Sequence, residues 1–542
     1  MLQRMSNDEP VGGVIAASDP HHLPDLDRRR FLAGAAAATV GATLAGTLAG
    51  TARADAELPS AAKIDRDRSH PADLDIAEAV SLLRARKLSS RELVEACLDR
   101  IAERDGDITA WERVYTEDAL AAAKEADRRL SKHGRHSSTP LLCGIPIGIK
   151  DIIAVGGKPL TAGSLALEGN IAPSDSNAWE RVLQQGMVLL GHTKTQEFAS
   201  GGSTQTARNP YDLAKSPGGS SNGSGAAVGA CTVAVGLGSD LGGSLRRPAS
   251  ACGINTIMGT YGRVSTRGIV TSNRGSDHVG PLVRSAVDVS LMLSLLAGRD
   301  PLDLSTYAAP EPPAMYPLKA RGGSRPLRGM RFALTPNLPP VDTLAPGVKA
   351  IFERFVAVMK ALGAEIVEVT LPEQPATPGP VPEAVLLHRD LFAAKGHLYT
   401  LFNRTAAASN QADANKVTAL ALYEAQVARG EWVASLNALF AETRIDAILM
   451  PSQVLETPLR GSGGPDETGD VSRFGPGTVR SYWNGAGFPA MSIPGGLSPD
   501  TGMPVGMQII GAPWTEEKML QIAIDYQART DYHLIRPERW DA

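Results

Sequence analysis

Histidine and cysteine are both scarce in this chain. Its 542 residues include ten histidines and four cysteines, and no histidine adjoins either of the two serine-rich clusters described below. C-x-x-C, H-E-x-x-H and P-loop patterns are missing, so neither zinc nor a nucleotide is implied and no cofactor or metal is expected. A formal net charge of −4 and a pI near 6.2 argue against a nucleic-acid surface. Internal repeats are absent, and 43% of residues are apolar, which is consistent with one large core. Cys97, Cys143, Cys231 and Cys252 sit in apolar surroundings and read as packed free thiols, although a disulfide between two of them stays open.

Strongly apolar runs are also missing. A weakly apolar stretch, Phe31 to about Gly50, is rich in Gly, Ala and Thr and has little Leu or Ile, which argues against a membrane anchor. Arg28-Arg29-Arg30-Phe31-Leu32 precedes it, and Ala52-Arg53-Ala54 and Ala54-Asp55-Ala56 follow as small-residue cleavage sites. Residues 1–56 therefore resemble a bacterial twin-arginine signal. The expectation is a chain handed to the twin-arginine machinery, periplasmic or secreted, with no membrane span in its mature form. Residues 57–542 are left as the folded body. Such export carries folded proteins, so folding in the reducing cytoplasm agrees with free thiols.

What the chain has in abundance lies between Ser216 and Arg247. Two glycine-serine clusters there, ending on Ser220 and Ser244, flank an apolar run from Ala226 to Leu237. Glycines at 218, 219, 242 and 243 let the backbone approach a bound group closely, since no Cβ intervenes. A flexible linker has no need of the apolar run. A serine hydroxyl is a weak nucleophile at neutral pH and needs a base. The candidate is Lys150, inside Leu141 to Ile153, a run that reads as a buried strand. Burial disfavours the ammonium, lowers its pKa and frees the amine to take a proton.

Ser216 to Arg247 is similar to the signature of the amidase-signature hydrolases, G-G-S-S-G-G-S, an apolar stretch, then G-T-D-T-G-G-S-I-R. Gly144-Ile145-Pro146 leading to Lys150-Asp151 matches the family's lysine segment, and Asn209-Pro210-Tyr211, Tyr261-Gly262-Arg263 and Gly487-Phe488-Pro489-Ala490 match elsewhere. The resemblance runs from about Asp73 to about Ala528. It implies an α/β fold, a single large domain over 57–542 with a mixed β-sheet core surrounded by helices. It implies Ser244 as nucleophile, Ser220 as a bridging serine after a cis peptide bond, and Lys150 as base, a variant of triad chemistry. Backbone N–H groups of Leu241, Gly242, Gly243 and Ser244 are expected at the oxyanion. Ser221, Asp240 and Arg246 fall on signature positions and are expected to orient Ser220 and hold the turn around Ser244. Asn222, Ser239 and Thr256 to Thr260 depart from the family pattern without touching the catalytic three.

The implied activity is hydrolysis of a carbon–nitrogen acyl bond in a small-molecule amide, by a monomer or homodimer. A carbamate- or ester-directed member and a glutamine-hydrolysing component of an amidotransferase are the alternatives within the family. A non-catalytic exported binding protein is the alternative outside it. Gly219 to Gly223 also fits G-x-S-x-G, but Asn209-Pro210 and Ser216-Pro217 mark a loop where a nucleophile elbow needs a strand. Ser60 to Lys63 is a chance S-x-x-K.

Helical spacing runs from Asp75 to Leu130, with Ser89 to Glu92 as a helix start. Further on, a helix is expected near Ser176 to Gln185, and strands over Val188 to His192 and Thr232 to Leu237. A helix over Gly347 to Leu362 is expected between strands Met330 to Thr335 and Ala364 to Val369, with a third strand at Ile445 to Met450. Such alternation argues α/β layering. Residues 375–472 match the family least. They hold a helical block, Leu386 to Ala441, and a glycine-rich loop, Gly461 to Gly477, both expected to line the substrate entrance. Tyr482, Trp483 and Asn484 read as packing residues bordering the pocket, and His192 as an ordinary strand-end histidine.

Overall fold

A computed structural model describes Leu58 and residues 70–132, 139–200, 207–271, 273–376, 382–460 and 478–540. The expected leader, Ser60 to Lys63 and the loop Gly461 to Gly477 lie outside the described residues. Eleven strands among the described residues form one mixed sheet: β1 Trp111–Val114, β2 Pro146–Lys150, β3 Val188–Thr193, β4 Val235–Ser239, β5 Asn255–Met258, β6 Val279–Val283, β7 Arg331–Leu334, β8 Glu365–Glu368, β9 Ala447–Pro451, β10 Ala490–Leu497 and β11 Pro504–Ile510. Their spatial order is β1-β3-β2-β4-β6-β5-β10-β11-β9-β7-β8. β2 runs parallel to β3 and β4, and β7 parallel to β8 and β9. The remaining pairs are antiparallel. Helices pack against this sheet, among them Arg246–Ala251 on β10 and β11, Ala286–Leu296 on β6, and Pro346–Ala361 on β10. The expected single domain with a mixed sheet surrounded by helices is what the chain adopts.

Local chemistry explains the elements that position the site. Ser89 and Glu92 form the capping box of the helix Ser90–Ile108: Glu92 N–H donates to Ser89 Oγ at 3.1 Å, and Ser89 N–H to Glu92 Oε2 at 2.7 Å. β2 reads Pro-Ile-Gly-Ile-Lys and is buried at every residue, as a strand covered on both faces must be. β4 places glycine at alternate positions, 236 and 238, on one face. The helix Asn222–Gly229 lies against that face so closely that a Cβ on Gly236 would sit 3.0 Å from Ser224 Cβ.

Several expectations are corrected. The stretch from Asp75 to Leu130 is not all helix, because β1 interrupts it as an edge strand paired with β3. Four residues with one buried position, Trp111, carry too little periodicity to be read. The strand expected over Leu141 to Ile153 shrinks to Pro146–Lys150, since residues 141–144 form a turn. β4 begins at Val235, three residues later than expected, and ends on Ser239. The helical block resolves into Pro382–Lys395, Leu401–Asp413 and Ala419–Thr443. All four cysteines are buried free thiols. No helix among the described residues is long and apolar enough to cross a membrane.

Candidate active site

Parallel strands open crevices at their carboxyl ends where connections diverge to the two sides. β2 and β4 are such a pair, in register at Gly148 with Gly236 and Ile149 with Leu237, and they end on Lys150 and Ser239. Strand alternation then fixes the direction of Lys150, opposite to Ile147 and Ile149, which stay in the core. Its amine donates to Ser220 Oγ at 2.7 Å and to Ser239 Oγ at 3.0 Å. Lys150 and Ser220 are fully buried, at 0% exposure, whereas Ser244 retains 8%. Of the three expected catalytic residues, Ser244 is thus the one nearest to anything arriving from outside.

The two serine clusters meet through the backbone. Ser221 N–H donates to the carbonyl of Ser244 at 3.4 Å, and Ser220 N–H belongs to a cis peptide bond with Gly219, as the resemblance implies. Ser221 Oγ donates to Ser239 O at 3.2 Å and accepts from Ser239 N–H at 3.3 Å, which pins the first cluster to the end of β4.

Asp240 organises the turn before Ser244. It accepts the N–H groups of Gly243 at 2.6 Å and Leu245 at 3.2 Å, and the Arg246 side chain at 3.0 and 3.1 Å. Arg246 continues to Gln508 Oε1 at 2.9 Å, the Arg480 carbonyl at 3.0 Å and Asn484 Oδ1 at 2.6 Å. Asn484 Nδ2 closes the ring by donating to Asp240 O at 2.8 Å. Burial alone would raise the Asp240 carboxyl, but the Arg246 charge and the donated hydrogen bonds hold it well below the usual carboxylate range. Both partners of this ion pair are fully buried. Removing one side of such a pair strands the other charge, at about 3–5 kcal/mol. Ser221, Asp240 and Arg246 are thus all tied by hydrogen bonds into the segments that flank Ser220 and Ser244.

One expected oxyanion donor is corrected. The Gly243 amide is committed to Asp240, so it holds the turn instead of facing a substrate. Gly243 adopts φ of +109°, a conformation that suits glycine. Leu241 and Gly242 are half-buried, and their N–H groups donate to no protein atom among the described residues.

The electrostatics of Lys150 follow from burial. Desolvation brings its pKa down to about 7, with Asp277 and Asp240 opposing and Arg247 reinforcing the shift. Asp277 is pushed up to about 6 by its own burial, partly offset by a hydrogen bond from Thr271 and the lysine charge. His192 stands apart: its Nδ1 lies 2.8 Å from the Tyr115 hydroxyl, and burial lowers its pKa to about 4. Trp483 packs its indole against Met450, and Tyr482 donates to the Pro372 carbonyl at 2.6 Å, so both are packing residues. Asn484, grouped with them in the sequence, belongs to the Asp240 ring. Sequence reasoning names Ser239 only as a departure from the family pattern and gives no role to Asp277, Gln508 or Arg480. The one available signal is for Ser239, the polar end of a second buried strand beside the lysine strand.

This fold and site define the amidase-signature hydrolases. The chain belongs to that family: the family model described as Amidase matches residues 92–520. Over 497 residues it is 35% identical to the A subunit of the glutamyl-tRNA(Gln) amidotransferase of Chloroflexus aggregans, covering 86% of this chain and 98% of the relative. Among solved structures it is similar to the native peptide amidase from Stenotrophomonas maltophilia, with 28% identity and a TM-score of 0.69 over 86% of this chain and 99% of that one. It is likewise similar to the A subunit of the Thermotoga maritima glutamyl-tRNA(Gln) amidotransferase, with 26% identity and a TM-score of 0.66 over 86% and 96%.

Proposed function

We propose that the chain hydrolyses a carboxamide through an acyl-enzyme on Ser244. The observation that carries this reading is the buried Lys150 amine 2.7 Å from Ser220 Oγ, beside the turn that presents Ser244. A neutral amine has two N–H groups and one lone pair. With one N–H held by Ser239, rotation of the neutral amine turns its lone pair to Ser220, and the 2.7 Å contact in which the lysine donates then runs the other way and takes the Ser220 proton. As Ser244 Oγ bonds to the substrate carbonyl carbon, its proton passes to Ser220, and the Ser220 proton passes to Lys150. The tetrahedral oxyanion is met by the N–H groups of Leu241, Gly242 and Ser244, each such donor being worth about 10²–10³ in rate. Reversal of the relay protonates the leaving nitrogen, and water then hydrolyses the ester.

A second reading draws its support from the relatives named as A subunits of glutamyl-tRNA(Gln) amidotransferase. In it the amide is glutamine and the ammonia goes to a partner subunit that handles charged tRNA. These relatives favour this reading over a free-standing amidase, whereas the leader favours the latter. Carbamate or ester substrates would use the same relay. Assay of the purified chain, alone and with any co-purifying proteins, against glutamine, anilides, peptide amides and carbamates separates the readings. Hydrolysis by the isolated chain supports a free-standing amidase. Turnover confined to glutamine, and only with bound partners, supports the amidotransferase. No turnover of any of them contradicts both.

Export remains part of the proposal and rests on residues 1–56 alone. N-terminal sequencing of protein recovered outside the cytoplasm is expected to begin just after Ala54 or Ala56. A chain that starts at residue 1, or that is never found outside, contradicts it.

A further inference from the structure

A cavity of about 300 Å³ lies beyond the carboxyl ends of β2 and β3, and Lys150, Ser220 and Ser244 are not among the residues that line it. Its walls come from β1, the loop after β2, the residues that follow β3, and Thr400, which precedes the helix Leu401–Asp413. Crevices at the carboxyl ends of parallel strands are where such sheets take ligands. At about 30 Å³ per water the cavity has room for about ten waters, or for a solute with about ten non-hydrogen atoms.

The lining carries both signs of charge without pairing them. Lys194, half-buried, and Glu168, on the exposed rim, make no side-chain hydrogen bond or ion pair among the described residues. Arg113 reaches Asp151 at 3.4 Å and Glu112 at 3.6 Å, which leaves most of its N–H groups unspent. Two cations with spare donors suit a carboxylate. The four lining hydroxyls offer the opposite. Each has given its one hydrogen away: Thr161 to Asp151, Ser164 to Glu197 at 2.7 Å, Thr195 to the Gln196 carbonyl at 2.9 Å and Thr400 to Glu197 at 2.5 Å. Only oxygen lone pairs remain on them, and those accept from an N–H donor. Glu197 itself is spent, since the Asn403 side chain also donates to it at 2.7 Å, and it holds that wall in place.

We infer that this cavity is a second ligand site and that it takes a small zwitterion of the free α-amino acid class. The carboxylate lies against Lys194 and Arg113, and the ammonium against Glu168 and the lone pairs of the hydroxyl wall. The site neighbours the relay without joining it. Asp151, which Thr161 and Arg113 hold, directly follows Lys150, and the Gln196 N–H donates to the Ser220 carbonyl at 3.2 Å. The inference stands whichever amide Ser244 attacks.

Calorimetric titration of the purified full chain with the standard L-amino acids at millimolar concentration is expected to find at least one that binds. Analogues of that amino acid lacking either the ammonium or the carboxylate (for L-threonine, 3-hydroxybutyrate and 1-amino-2-propanol) are expected to bind about 10–10²-fold more weakly, because each leaves one wall unpaired. Lys194→Met is expected to weaken the amino acid by a similar factor while leaving the analogue without a carboxylate unchanged. Binding of no amino acid, equal binding of either analogue, or a Lys194→Met variant that loses both ligands alike overturns the inference. Should that variant fail to fold, the analogue series on the wild-type chain still decides. Chain whose Ser244 has been capped by a fluorophosphonate is expected to bind the amino acid with unchanged affinity. Loss of binding on capping would place the ligand at the nucleophile and overturn the second site.

Discussion

Ser244→Ala is expected to lower amide turnover by about 10⁶-fold, the scale seen when a serine hydrolase loses its nucleophile. The fold should survive, because the change removes one hydroxyl at a position with 8% exposure and leaves the Ser221 N–H bond to the Ser244 carbonyl in place. Unfolding midpoints of variant and parent should therefore agree closely while steady-state rates diverge. Some activity over water should persist, since Leu241 and Gly242 still offer N–H groups to the carbonyl oxygen. A variant that hydrolyses amides at the parental rate would move the nucleophile elsewhere, and Ser220 is too buried to replace it without rearrangement.

Lys150→Met is expected to cost nearly as much, and the double variant little more than either single one. Residues that act as a unit in proton transfer are strongly non-additive. Methionine suits the test because it fills much of the same buried volume without titrating. The pH profile supplies the independent readout. A lysine at its ordinary pKa would be neutral in only about 1 molecule in 3,000 at pH 7, whereas one near 7 is neutral about half the time. The base must be unprotonated, so kcat/KM should rise with pH through about 7, where burial places the Lys150 pKa, and level off above it. A profile still climbing at pH 10 would mean that the amine is solvated in the working enzyme.

Much of this is legible in the order of the residues. Glycine and serine at fixed offsets, an apolar strand ending in lysine, and capped helices all carry local signals that survive folding. Ser89 with Glu92 announces a helix, and the strand expected near β3 is correct within a residue. What cannot be read depends on register between distant segments. Ser239 becomes a lysine partner only because β4 stops level with β2, a pairing across 89 residues. Arg480 reaches Gly243 from a helix that follows a stretch outside the described residues, and no periodicity announces that approach. The Gly243 amide reads as facing outward because a glycine-rich turn suggests an oxyanion hole. The competing acceptor, Asp240 Oδ1, lies three residues back and closes a local turn instead. The interleaved sheet order, in which β10 joins β5 and β11 joins β9, is equally invisible to local pattern.

The most direct measurement is the rate at which a fluorophosphonate modifies Ser244 as a function of pH, read by intact mass and confirmed by peptide mapping. This step needs the same proton removal as amide attack but no knowledge of the natural substrate. The expected result is a single rise with a midpoint near pH 7 in the parent chain, and labelling nearly abolished across the range in Lys150→Met. A midpoint near that of an ordinary lysine, or unchanged labelling in Lys150→Met, would contradict the buried-amine relay.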